Sequence, residues 1–154
     1  TDEQRIVALS ALSSKFNKSS FVNIVEEPEQ NLFPSSQWKV LQSLFEFNNM
    51  NIHNKLILTT HSPYLINRLT IAIKAGILNN KLNSEQKHRL YKIIPAESLI
   101  LPEDIAIYEL DEKDGTVKKL NDYDGIPSDR NYLNDELGLS NKLYDALLEI
   151  EEEV

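Results

Sequence analysis

Phe21-Val22-Asn23-Ile24-Val25-Glu26-Glu27-Pro28-Glu29 is an apolar run that ends abruptly in two adjacent carboxylates and a proline. The run has the length and composition of a buried strand, and Pro28 cannot donate to a sheet ladder, so pairing is expected to stop there. Proline also biases its predecessor toward extended geometry, so Glu27 is expected to project from the strand end. A second apolar run, Lys55-Leu56-Ile57-Leu58-Thr59-Thr60, ends the same way, in His61-Ser62-Pro63. Between them Ser35 to Asn49 reads as a helix opening after Pro34, with Ser35 or Ser36 as its N-cap. Together these segments form a β-α-β unit. Such units are right-handed with parallel strands in nearly all cases, which puts both polar tips on one sheet edge. Open α/β sheets bind ligands at that carboxyl edge, so Glu26, Glu27 and His61 are expected to converge.

At 154 residues and 41% hydrophobic content the chain can bury a core as one domain or as a piece of a larger one. No apolar stretch is long enough to span a membrane, and no signal peptide or initiator methionine is present. The chain is therefore read as cut from a longer one. The absence of cysteine excludes a disulfide framework and a thiolate metal site, which fits a cytoplasmic protein. A net charge of -8 argues against this segment wrapping nucleic acid by itself. A phosphate-binding Walker A loop needs clustered glycines followed by lysine and a hydroxyl residue. Gly76, Gly115, Gly125 and Gly138 are the only glycines, and none sits in that pattern.

Upstream of the first strand, Thr1 to Phe16 reads as a helix with Ile6, Leu9, Leu12 and Phe16 near one face. Downstream, Ser62 and Pro63 open another helix, at the cap and the first helical position. It carries Leu65, Leu69 and Ile73, loosens at Asn79-Asn80, and is followed by a short helix from Ser84 to Ile94. From Leu101 the texture changes. Ile105 to Leu110 and Thr116 to Leu120 read as a hairpin, Asp122 to Gly125 as a turn, and two helices follow, Asp129 to Leu137 and Asn141 to Glu153. Asp111, Asp114 and Gly115 lack the alternating ligands of a calcium loop, and Asp122 with Asp124 is read as a turn rather than a metal site. His53, His61 and His88 are too scattered for a zinc site, and Trp38 reads as core.

The Ile24 to Glu29 segment is similar to the Walker B strand, with its catalytic glutamate, of the ATPase core shared by ABC-type, SMC-like and OLD-like ATPases. Gln30-Asn31-Leu32-Phe33-Pro34 resembles the continuation found in the E-P-E-x-x-L-x-P branch of AAA-type ABC ATPases. Thr59-Thr60-His61-Ser62-Pro63 resembles their switch-histidine loop. The resemblance covers residues 21 to 68. It implies an α/β fold, the C-terminal portion of a P-loop NTPase core with parallel strands and flanking helices, followed by a β-hairpin and helices. Residues 1–100 would be the core segment and 101–154 an extension of the same domain.

Residue by residue, the resemblance implies that Glu26 holds the magnesium shell through water, Glu27 polarises the attacking water, and His61 contacts the γ-phosphate. ATP and magnesium are the implied cofactors. The usual metal-side residue is aspartate, and Glu26 is a methylene longer. Asp2-Glu3-Gln4-Arg5 stands where the signature motif would open its helix, without the expected glycine. An ordinary acidic first turn is the other reading. The resemblance further implies ATP hydrolysis in a complete chain that carries the Walker A loop upstream, with this segment inactive alone. A second copy would form a head dimer. A nuclease or other effector, and DNA through other parts, are further partners to consider; a membrane is not. The rival reading is a noncatalytic interaction module that retains the ATPase fold.

Overall fold

Two strands, β1 (Val22–Glu26) and β2 (Lys55–Thr59), pair in parallel, from Val22 opposite Lys55 to Glu26 opposite Thr59. The structure, a computed structural model, describes residues 20–152; the helix expected over Thr1 to Phe16, with Asp2-Glu3-Gln4-Arg5, lies outside the described residues. The chain divides between Ile105 and Ala106 into two compact units.

In the first unit α1 (Pro34–Asn49) crosses from β1 to β2. Its cap falls on Phe33 rather than on Ser35 or Ser36, with Pro34 inside the first turn. The reason is that a first-turn residue has no intrahelical N–H partner to lose, and proline's fixed φ already suits the helix. Val40, Leu41, Leu44, Phe45 and Phe47 are buried, and α1 packs on α2 (Pro63–Asn79), which buries Leu65, Leu69, Ala72 and Ile73. The first-turn pairing of Ser62 and Pro63 is as read from sequence. A short α3 (Ser84–Tyr91) begins with a reciprocal Asn83–Gln86 capping box and stops at Tyr91, and beyond it Ile94 is fully buried. Asn54, 5% exposed, closes the far end of the crossover. Its amide donates to the carbonyls of Phe47 and Asn48 at 3.3 and 3.2 Å, and its oxygen accepts the Phe21 N–H at 3.3 Å. One buried side chain thus satisfies helix-end carbonyls and ties the start of β1.

Gly76 is where the chain after α3 meets α2. A Cβ there would lie 2.1 Å from the Ile100 carbonyl oxygen, a backbone atom that cannot rotate away. Gly76→Ala is therefore expected to lower stability by about 2 kcal/mol or more, through overpacking that outweighs alanine's helix propensity. A denaturant titration reads it.

The outer face of the β1–β2 pair is open: Val22 is 62% exposed, Ile24 65% and Ile57 51%. Parallel strands are ordinarily covered on both faces. Among the described residues no helix is long and apolar enough to cross a membrane.

The second unit holds two antiparallel pairs, β3 (Tyr108–Leu110) with β4 (Val117–Lys119), and β5 (Asp122–Tyr123) with β6 (Ile126–Pro127). The first is shorter than read from sequence. The Asp122–Gly125 turn is the tip of a second, minimal hairpin. Lys118 Nζ lies 2.7 Å from Asp111 Oδ2 and, with the Lys113 N–H, holds that carboxyl below its usual pKa. The two helices expected after Asp129 are one, α4 (Tyr132–Glu152), capped by Asn131 Oδ1 accepting the Asn134 N–H at 3.1 Å. Gly138 does not break it. A glycine costs only about 1 kcal/mol against alanine, and the flanking residues are good helix formers. Nothing lies within 4 Å of a Cβ built at Gly138, so Gly138→Ala is expected to gain about 0.5–1 kcal/mol by the same titration.

Candidate functional site at the carboxyl edge

The last rung of the sheet is the Glu27 N–H donating to the Thr59 carbonyl at 2.9 Å. There the chain turns sharply. Glu27 has φ of +44°, so it is not extended as its place before proline suggests. Contacts in and around the turn override that local bias. The Glu27 carbonyl accepts from Gln30 N–H and the Glu29 carbonyl from Leu32 N–H, both at 3.1 Å, while Asn31 also takes a positive φ of 58°. Pro28 is buried beneath this double turn. A left-handed glutamate costs on the order of 1–3 kcal/mol, and such strain concentrates at functional sites.

The turn brings Glu27 Oε1 to 3.5 Å from His61 Nε2, with the His61 side chain 84% exposed and that of Glu27 35%. Gln30 Nε2 donates to the other oxygen, Glu27 Oε2, so Oε1 is the oxygen turned to the imidazole. Of Glu26, Glu27 and His61, all three expected to converge, Glu27 and His61 meet. Glu26 ends β1 on the open face, in the exposed alternation with Val22 and Ile24. Among the described residues no three His, Asp or Glu side chains gather as a metal cage. An exposed carboxylate still suits magnesium, which takes oxygen donors and keeps several waters.

Two contributors escaped the sequence reading. Glu29, past Pro28, reaches the second strand's loop: its Oε1 accepts from Thr60 Oγ1 at 2.6 Å and from the His61 N–H at 2.9 Å. Its only signal was membership of the Glu-Pro-Glu run. Gln37 of α1 carried none. Its amide donates to the Leu32 carbonyl at 3.1 Å and its oxygen accepts from Ser62 Oγ at 2.9 Å. Trp38 is half-buried, with the Arg68 guanidinium 5.6 Å from its ring centre. Asp122 accepts from the Gly125 N–H at 3.1 Å, and Asp114 from the Thr116 N–H at 2.9 Å, as turn residues do.

A parallel β-α-β unit within a mixed α/β fold, with acids and a histidine at its carboxyl edge, is compatible with a segment of a P-loop ATPase. Residues 4–66 match the family model of the AAA ATPase domain, a stretch that takes in β1, α1, β2 and His61. That match supports an AAA-family ATPase segment and suggests ATPase-type function. No curated protein and no solved structure matches the chain.

Proposed function

We propose that this chain supplies the Walker B and switch-histidine half of the ATP site of an ABC-type, SMC- or OLD-like ATPase, with the Walker A loop in a more N-terminal part of the protein. The observation that carries the reading is the 3.5 Å pairing of Glu27 with His61 at the carboxyl ends of two parallel strands. The open apolar face of Val22, Ile24 and Ile57 supports it, because further elements of the same core would cover that face.

Phosphoryl transfer asks little covalent chemistry of the protein; it asks for an oriented water and stabilised charge on the moving phosphoryl group. Glu27 Oε1 would accept a hydrogen bond from the attacking water, while Gln30 fixes the carboxylate through Oε2. His61, on the neighbouring strand tip, would donate to a γ-phosphate oxygen. Glu26 would hold magnesium through water, and the metal when bound supplies positive charge beside the β- and γ-phosphates. A second copy would close the site as a head dimer, with hydrolysis opening it. A nuclease or other effector, or DNA held elsewhere in the protein, would respond to that cycle.

The rival reading, a noncatalytic interaction module, draws on α4, where Leu143, Tyr144, Leu147 and Ile150 are all about 60% exposed. Isothermal titration tests the half-site directly. The 154-residue chain alone is expected to bind MgATP weakly or not at all, since phosphate affinity comes mainly from the backbone cradle and lysine that its sequence lacks. Micromolar affinity would sink the proposal.

A further inference from the structure

We infer that Glu29 is a positioning residue that sets the place of His61, an inference that rests on the ATPase reading above. The His61 ring is 84% exposed, so packing cannot locate it. Its backbone must. That backbone is held from across the sheet edge: one oxygen of Glu29 takes both the His61 N–H at 2.9 Å and the Thr60 hydroxyl at 2.6 Å. Both are charge-assisted bonds of ordinary strong geometry. Thr60 Oγ1 in turn accepts the Ser62 N–H at 2.9 Å, which joins the clamp to the entry of α2. A parallel link runs from Ser62 Oγ through Gln37 to the Leu32 carbonyl, so the loops after β1 and β2 are cross-tied twice.

The aim of Glu29 is itself built in. Pro28 is buried, and the turns closed by Gln30 and Leu32 fix the Glu29 backbone on either side. Its second oxygen, Oε2, is buried with no hydrogen-bond partner among the described residues, so the hydrogen bonds that this carboxylate makes among them are those to the histidine loop. The backbone from which the His61 ring reaches Glu27 is thus held by Glu29 through the loop's N–H and hydroxyl rather than through the imidazole nitrogens. A displaced donor weakens the departing phosphoryl group's stabilisation and leaves nucleotide affinity, which comes from elsewhere, nearly intact.

Phosphate-release kinetics on the complete protein test this. Glu29→Ala is expected to lower kcat by about ten- to a hundredfold with little change in the KM for ATP. Glu29→Gln keeps an acceptor at the Oε1 position and is expected to restore most of that loss. In a His61→Ala background Glu29→Ala should cost nothing further, because it acts through the ring already removed. Wild-type turnover in Glu29→Ala, or an equal loss with and without His61, overturns the inference. Glu27→Gln is run beside it: inactive Glu27→Gln with fully active Glu29→Ala removes this inference alone, whereas active Glu27→Gln removes the ATPase reading with it. Should Glu29→Ala lose its circular dichroism signature, Thr60→Val cuts the same clamp from the other side. A kcat loss that vanishes without His61 supports the inference, and unchanged kcat overturns it.

Discussion

Glu27→Gln in the complete protein is expected to stop hydrolysis, by on the order of 10²–10⁴-fold as for loss of a general base, while ATP binding survives. The substitution keeps volume and planar shape, so the +44° turn need not repack. What changes is which way the group can hydrogen-bond. Gln30 Nε2 donates to one carboxylate oxygen, and the new amide satisfies it by turning its own oxygen that way. The amide nitrogen then faces His61 and the water, where it can donate but not accept. The water loses its orienting acceptor. On the proposed head-dimer mechanism, uncleaved ATP would keep bridging two copies, and the closed dimer is expected to accumulate by mass action. Glu29→Gln, which would serve as a neutral comparison if that acid stood clear of the site, cannot be one because it anchors the His61 loop. Glu85→Gln, an exposed acid at the start of α3, takes its place. A phosphate-release assay and size-exclusion chromatography with light scattering, both with ATP and magnesium, read the two halves. Hydrolysis at the wild-type rate refutes the catalytic assignment; an inactive protein that stays monomeric leaves the site standing and removes the head dimer.

His61→Ala is expected to lower kcat and kcat/KM together, by on the order of 10²-fold, by analogy with loss of one donor to developing charge. The structure makes this a clean substitution. The ring is mostly in solvent, and its backbone N–H stays bonded to Glu29 whatever the side chain. The melting curve should therefore move by no more than about 0.5 kcal/mol equivalent, as for other exposed positions. Helix entry is unaffected, since Ser62 and Pro63 provide it. Undiminished turnover would mean that His61 is only an exposed residue before α2.

Local sequence was enough for the β-α-β unit, because strand and helix periods, Ser62-Pro63 at a helix start and a proline after an apolar run are all signals within a few residues. It was enough for Glu27 and His61 as neighbours too, because parallel strands leave their carboxyl tips on one edge whatever the details of the loops. It misjudged features set by atoms far apart in the chain. The bonds from Glu29 span 31 and 32 residues, and the link from Gln37 to Ser62 spans 25. No pattern along the sequence announces them, since a glutamate past a proline and a glutamine on a helix are ordinary solvated residues until folding brings acceptors and donors together. The same holds for Gly76, whose need for a missing side chain arises from the Ile100 carbonyl. Even the backbone of Glu27 followed tertiary demand. Pre-proline bias favours extension by a small margin, and the ladder bond to Thr59 with the turn bond from Gln30 outweighs it. In α4 the opposite occurred: helix propensity summed over 21 residues carried the chain through Gly138, where local punctuation alone suggested a stop.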